Sequence, residues 1–415
     1  MNKQTSYKKG FLFYSFILFL VMLDSLRVCF IFSFSGSFLT SAILFVLSLV
    51  ALISYPSLFS FRKRDVLLII FLFLIARFSA TRGNLNAYFG MFVFSLNVII
   101  FFGLKQKYKR EFLNIFSKWF AVVLTVSLFF WILYLLGLNL PHQEIEYGFS
   151  ENRNEAQYFF DNYYFFLKNN GHSYTDLSDL ILPRFSSILL EPGYLGNILV
   201  ILLIVNSFNL RKWYNIVFLL SLIFTFSLSG WMLFIFSFVA FIIAKKKNKR
   251  FIKFSLTIIA FISLYLFFRN YNSGNNAVNE MILSRLEYDA SKGSLAGYNR
   301  TTEQFDDWYY NNFLQGSDYL FGTDVEKYFG QTPNVGWKMY TAHFGFVALA
   351  LYFLFLYFPL SRAKTFSNYI LFGTYILIFT RGHHEIFWAA FPVLYLAGLQ
   401  FPQGHDKINI METVQ

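Results

Sequence analysis

Apolar stretches long enough to cross a hydrocarbon layer of about 30 Å recur from one end of this chain to the other, each interrupted by turn residues or a cluster of charge. They predict helices near 11–33, 38–58, 65–79, 87–104, 119–140, 187–208, 213–228, 231–244, 251–268, 341–360, 366–380 and 384–400. The spans at 65–79, 213–228 and 231–244 are short, and the last two share the predicted hairpin Ser227-Leu228-Ser229-Gly230. The residues are 56% hydrophobic, 22% aromatic and only 14% charged, more apolar than one water-soluble core can hide. The sequence therefore reads as an all-α polytopic membrane protein, one transmembrane domain over 1–415 with about twelve helices.

Charge gives the orientation. With the N-terminus inside, the cytoplasmic face collects 22 of the 35 Lys and Arg but only Asp65, Glu111, Asp406 and Glu412 among the acids. The outer face carries Arg77, Arg82, Arg153, Lys168, Arg184, Arg269, Arg285, Lys292, Arg300, Lys327, Lys338 and Arg381 against most of the carboxylates. Both termini are then cytoplasmic, and the net charge of +12 reports membrane orientation, with no call for nucleic acid. The basic N-terminus precedes an apolar run without a small-residue cleavage site, so it reads as a retained first helix containing the single cysteine, Cys29. Within that helix Asp24 and Arg27 are spaced to pair with each other.

Two connections are long, 141–186 and 269–340, and both lie outside on this topology. Segments of that length are functional or disordered as a rule. Their aromatics (Tyr158 to Phe166 in the first, Trp308, Tyr309, Tyr310, Phe313 and Trp337 in the second) argue for order and suit either a sugar face or an interfacial belt. No P-loop, no Gly-x-Gly-x-x-Gly after a strand and no zinc-spaced Cys/His array is present, so neither ATP-driven transport nor nicotinamide chemistry is supported, and no cofactor or metal is called for.

The most informative segment is Arg184-Phe185-Ser186-Ser187-Ile188-Leu189-Leu190-Glu191-Pro192-Gly193-Tyr194-Leu195-Gly196, where the first long loop re-enters the membrane. Pro192 pushes Glu191 out of helical geometry. A carboxylate at such a break is expensive in hydrocarbon unless it faces a polar cavity or pairs with a cation. Both a catalytic role and a salt bridge to Arg184 or another arginine that locks the helix entry fit the residues.

This Arg184 to Glu191-Pro192 pattern, placed after the first long outer loop, resembles the O-antigen polymerase family, membrane glycosyltransferases related to the O-antigen ligases. Three weaker likenesses accompany it: Ser227-Leu228-Ser229-Gly230, where the family often has an arginine at the place of Leu228; Asn299-Arg300-Thr301 followed by Trp308; and Leu320-Phe321-Gly322-Thr323 with Asn334 and His343-Phe344-Gly345, in which Pro333 stands where the family has histidine. The resemblance implies a bacterial inner-membrane enzyme that joins undecaprenyl-diphosphate-linked oligosaccharides outside the cell. Its partners would be those lipid-linked glycans and membrane lipid, together with a chain-length regulator and a flippase.

Such a reaction needs a diphosphate neutralised, an acceptor hydroxyl oriented and its proton accepted. Arginine forks onto phosphate oxygens and keeps its charge, which nominates Arg184, Arg300 and Arg381 for the substrate, with His383 at the same outer mouth as Arg381. Glu191 is the leading base and His343 the alternative. Arg381-Gly382-His383-His384-Glu385 reads as a polar mouth, not a metal site, because adjacent histidines diverge on a helix. Glu303, Asp306 and Asp307 share a helical face that serves equally as a solvated surface. Three further functions stay open on the residues: an O-antigen ligase, with the same donor chemistry; a lipid-linked oligosaccharide flippase or other secondary transporter, which would instead place its ionisable residues near mid-membrane; and a non-catalytic scaffold for a surface-polysaccharide complex, which leaves Glu191-Pro192 without a purpose.

Overall fold

The computed structural model describes residues 3–26, 28–30, 33–34, 38–61, 67–68, 70, 85–146, 159–169, 183–244, 250–276, 278–289, 294–295, 302–329, 336–362, 365–381 and 390–400. The described residues are mostly helical, at 76%. Helices α1 (Lys3–Ser25), α2 (Phe38–Ser54), α3 (Leu85–Gly103) and α4 (Gln106–Leu135) form the first half, with a two-residue ribbon of β1 (Cys29–Phe30) and β2 (Ser33–Phe34) between α1 and α2. A three-stranded antiparallel sheet follows, β3 (Gln143–Glu146), β4 (Phe159–Asn162) and β5 (Leu167–Asn169), paired in that order. Then come α5 (Pro192–Val205), α6 (Trp213–Phe224), α7 (Leu228–Ala244) and α8 (Arg250–Asn270). The second long connection carries the hairpin of β6 (Tyr288–Asp289) and β7 (Ser294–Leu295) and the short helices α9 (Glu303–Trp308) and α10 (Glu326–Phe329), before α11 (Trp337–Arg362), α12 (Phe366–Arg381) and α13 (Ala390–Gly398).

Several boundaries differ from the sequence expectation for local reasons. The first helix stops at Ser25, and Cys29 lies in the ribbon opposite Phe34, not inside the helix; the run Val28 to Phe34 is rich in β-branched and aromatic residues that favour extended backbone. Asp24 accepts a hydrogen bond from Ser41 Oγ at 2.6 Å, while Arg27 lies outside the described residues. Helix α4 absorbs the Lys-rich stretch read as a loop, since Lys, Arg, Gln and Glu are good helix formers. Helix α5 starts at Pro192 instead of 187, because proline suits the first helical position and forces the residue before it to be extended. The α6–α7 turn is Thr225-Phe226-Ser227, so Ser229 and Gly230 belong to α7. The expected helix 65–79 lies almost entirely outside the described residues.

Among the described residues, two helices are long and apolar enough to cross a membrane, Gln106–Leu135 and Trp337–Ser361; Leu39–Ser54, Pro192–Val205, Trp213–Phe224, Leu228–Ile243 and Phe366–Thr380 are shorter apolar helices. Their exposed faces are also apolar. Helix α2 turns Leu39, Ile43, Val46, Val50 and Ile53 outward, and α4 does the same with Val122, Val126, Phe129 and Ile132. A helix in water does the reverse. Polar side chains are instead turned in, as where Ser237 of α7 meets Thr374 of α12 at 3.1 Å.

Helices α5 and α13 sit at the centre. Every residue from Leu195 to Ile204, and every residue of α13, is buried, as befits helices that are apolar all round. The N-terminus of α5 therefore opens from the middle of the bundle.

The second long loop is locked to the bundle by a pair of glycines. Helix α11 breaks at Gly345, whose φ of 80° is open to glycine, and the turn containing Gly322 (φ 79°) nests against the break. A Cβ at Gly345 would collide with the Leu320 carbonyl, and one at Gly322 with the His343 carbonyl. Phe346 N–H donates to the Tyr319 carbonyl at 2.9 Å, Val347 N–H to Leu320 at 3.1 Å, and Thr323 N–H to Ala342 at 2.6 Å. The turn thus supplies the acceptors that the restarting helix lacks. Gly345→Ala is expected to cost about 2–3 kcal/mol through strain and collision together, read as a lowered Tm in detergent and reduced membrane abundance, with Gly373→Ala, where a Cβ would meet only the Phe236 ring at 4.0 Å, as the tolerated control.

Candidate functional site

Residues 183–191 descend as a wedge of non-helical chain against the bundle centre. Phe185 to Leu190 are all buried. Backbone buried away from water must find partners, and here it does: Phe185 N–H donates to the Phe224 carbonyl at 2.9 Å, and Leu167 N–H to the Ser187 carbonyl at 2.8 Å. Ser187 Oγ donates to Ser127 Oγ of α4 at 2.8 Å, Ser127 Oγ to the Phe165 carbonyl at 2.6 Å, and Ser186 Oγ to the Leu167 carbonyl at 3.1 Å. The Phe185 ring packs on Trp131 of α4, at 5.6 Å between centroids, and Trp131 also meets Phe224 at the end of α6.

Arg184 begins the wedge. Its Nε donates to the Thr225 carbonyl at 3.1 Å, which orients the guanidinium over the end of α6. Glu191 ends the wedge as the residue before α5, extended at φ −134° and ψ 139°, exposed, and not capping its own helix. Its carboxylate has no hydrogen bond or ion pair with any described residue, so of the two readings the salt bridge, to Arg184 or another described arginine, does not form; main-chain and serine hydrogen bonds hold the wedge.

Two helices start side by side here. Gly196 of α5 and Gly230 of α7 bring their backbones so close that a Cβ on Gly196 would sit 3.2 Å from the Gly230 Cα. Ser227 Oγ caps α7 by accepting from Gly230 N–H at 3.3 Å, and lies 3.2 Å from Ser229 Oγ. A Cβ on Gly193 would meet nothing nearer than Ser227 Oγ at 3.9 Å, which leaves the first turn of α5 open. The positive ends of two helix dipoles thus converge beside a carboxylate and an arginine.

Both long loops close on this point. The β3–β5 sheet packs Ile145, Phe160 and Leu167 onto Leu190, one residue before Glu191. From the second loop, Met281, Ile282 and Leu283 cover Phe226 and Leu228 of the α6–α7 turn. In the sheet, Lys168 pairs with Asp161 at 3.1 Å; burial alone would lower the ammonium, but the Asp161 hydrogen bond and Tyr134 hold it above its ordinary value. Burial, then Tyr134 and Asp161, push the Tyr163 phenol up to about 12.

The other nominated residues fall differently. His343 sits in the first segment of α11, ahead of the Gly345 break and against the Gly322 turn, in a module built around Phe305, Tyr309, Phe313, Val325 and Met339. Arg381 ends α12. The Ser237–Thr374 bond sets α12 against α7, so the stretch from Thr374 to Arg381 rises roughly 10 Å toward the end where α7 begins. Arg300 and His383 lie outside the described residues. Asp306 is taken by Lys338 at 2.8 Å and Asp307 by Asn311 at 2.7 Å, which fits a structural helix face. Among the described residues no group of three or more His, Cys, Asp or Glu is placed to hold a metal. Sequence reasoning missed Ser127, Ser186, Ser187, Thr225 and the Gly196–Gly230 crossing; only the spacing of small residues in the two segments hinted at the last.

No family model, curated protein or solved structure matches the chain.

Two outcomes test this geometry. Gly196→Leu should force the α5–α7 crossing apart at a cost of about 1–3 kcal/mol, seen as a lower Tm in detergent, while Gly193→Ala should be nearly silent. Lys168 and Tyr163 both keep their protons to higher pH in the folded loop than in an unfolded chain. The sheet should therefore keep its full stability below about pH 10 and lose it as pH rises toward about 12, measured as faster amide exchange in β4 and β5 over that window, with Lys168→Met flattening part of the change.

Proposed function

We propose that this chain is a polytopic inner-membrane glycan polymerase with about twelve spans and both termini cytoplasmic, joining undecaprenyl-diphosphate-linked oligosaccharide units at its outer face. The observation that carries the reading is the exposed Glu191 carboxylate, unpaired among the described residues, at the paired starts of α5 and α7, where both long loops meet beside Arg184.

The outward apolar stripes and the partition of charge support a lipid surround. So does the wedge itself, since irregular backbone at membrane depth is tolerated where protein buries it and fills its hydrogen bonds. Helix α5 supports the depth: its 14 residues rise roughly 21 Å, short of a full crossing, and the wedge occupies the remainder.

In the proposed reaction the donor carries its leaving group, so neither nucleotide nor metal is required. The acceptor hydroxyl oxygen attacks the anomeric carbon of the donor sugar, the carbon–oxygen bond to the diphosphate breaks, and the electron pair leaves on the diphosphate. Glu191 accepts the hydroxyl proton. Arg184 and the two helix starts stabilise the charge that builds on the diphosphate. Direct displacement inverts the anomeric carbon. Arg381 stands at the same end of the bundle and is assigned to the glycan or its phosphate, with Arg300 and His383 as companions, while His343 serves the second loop and is not required as base.

Complementation of cells lacking the protein tests this reading, with glycan length as readout and membrane abundance measured in parallel. Wild type should restore a ladder of long chains. Glu191→Gln and Arg184→Ala should each leave single repeat units, a loss of at least about 100-fold in transfer. Full-length chains from Glu191→Gln at equal abundance would remove it from the chemistry. Restored core attachment without chain lengthening would point to a ligase, and restored export alone to a transporter.

A further inference from the structure

The far end of the α5–α6 hairpin carries a pocket that the glycan chemistry does not use. Ser207, Phe208, Asn209, Leu210 and Arg211 line an open cavity of about 610 Å³ between the end of α5 and the start of α6. Its wall is held in place: Ser207 and Phe208 have φ of 58° and 49°, Phe208 N–H donates to the Leu203 carbonyl at 2.8 Å, and the Phe208 ring packs on Phe234, Phe238 and Phe241 of α7. Beneath it, Asn206 donates to Ser117 of α4 at 3.1 Å and accepts from Lys212 Nζ at 3.3 Å, so the Lys212 charge is turned inward.

Arg211 is exposed, and its guanidinium has no hydrogen bond or ion pair with any described residue. The Asn206–Ser117 contact also brings the hairpin to the end of α4 that carries Lys107, Lys109, Arg110 and Lys118 against the lone acid Glu111. That end therefore has a positive potential.

An apolar stripe runs away from the pocket. Trp213, Ile216, Leu220 and Ile223 are 47%, 46%, 45% and 40% exposed, and their spacing places them on one face of α6. From Trp213 to Ile223 the stripe is roughly 15 Å long, which is half of a hydrocarbon layer of about 30 Å. A cation in a polar pocket, continued by an apolar track one leaflet long, has the shape and charge of a phospholipid.

We propose that this is a binding site for an anionic phospholipid of the cytoplasmic leaflet, its phosphodiester on Arg211 within the Ser207–Arg211 pocket and an acyl chain along Trp213, Ile216, Leu220 and Ile223. The site rests on the membrane placement proposed above but not on the glycan chemistry. It would anchor the basic end of the two helices whose other ends form the candidate site.

Native mass spectrometry of the full chain in detergent tests it, with phosphatidylglycerol, phosphatidylcholine or inorganic phosphate added to wild type, Arg211→Gln and Arg269→Gln. Arg269 is an exposed arginine at the opposite end, ion-paired with Glu287. Arg211→Gln should bind phosphatidylglycerol about fivefold more weakly, the loss expected for one cation near an anionic headgroup. Arg269→Gln should match wild type, phosphatidylcholine binding should be unchanged, and inorganic phosphate should not compete. Equal phosphatidylglycerol affinity in wild type and Arg211→Gln would overturn the site, as would displacement of the lipid by millimolar phosphate. Release of the chain from membranes by alkaline carbonate would overturn the membrane placement and the site together, whereas full-length glycans from Glu191→Gln would overturn the glycan chemistry alone.

Discussion

Irregular backbone buried away from water must find partners in the protein, and the wedge from Arg184 to Leu190 is tied down by several such bonds. The Phe185 amide donates to Phe224, the Ser187 carbonyl accepts from Leu167, Ser187 and Ser186 donate through their hydroxyls to Ser127 and Leu167, and the Phe185 ring is clamped by Trp131. Each net hydrogen bond is worth about 1 kcal/mol, but leaving a buried group unmade costs about 1–3 kcal/mol, so the wedge is held mainly by the penalty for opening it. Everything nearby takes its place from this: α5 can begin only where the wedge ends, α6 must stop where Phe224 and Thr225 serve as acceptors, and the β3–β5 sheet must lie where Leu167 meets Ser187.

The glycine crossing works with the wedge. Small residues let helix backbones approach closely, and Gly196 against Gly230 is such a contact. Its position matters more than its energy. By seating the first turns of α5 and α7 at one level, it adds their dipole ends where either alone would be a weaker feature. Glu191 gains nothing structural from the arrangement: it neither caps its helix nor pairs with a described residue, and a carboxylate kept without structural return is one available to a substrate.

How far this was legible in the sequence depends on the range of the forces involved. The mostly helical class and the break at Glu191-Pro192 follow from local chemistry, because proline geometry and apolar periodicity act within a few residues. The helix ends at Ser25 and Gln106 were misread for an equally local reason, since apolarity marks what lies in hydrocarbon while propensity decides where a helix stops. The partners of the wedge were out of reach. Ser127 lies 60 residues from Ser187, and Thr225 lies 41 from Arg184, and nothing in either segment names the other. Gly322 and Gly345 were noticed as two motifs, but only folding shows that they are the halves of a single joint.

The candidate site draws on Ser127 of α4, the strand residue Leu167, the wedge, the α6–α7 turn and Met281 to Leu283. No contiguous stretch of the chain contains it. A lineage that exchanged one outer loop for another would bring a lid whose hydrogen bonds fit a different wedge, so the loops and the turn beneath them must be inherited and altered together. If the site takes glycans as proposed, new preferences are reached by coordinated small changes across five segments, and a transplanted cassette would arrive without its floor.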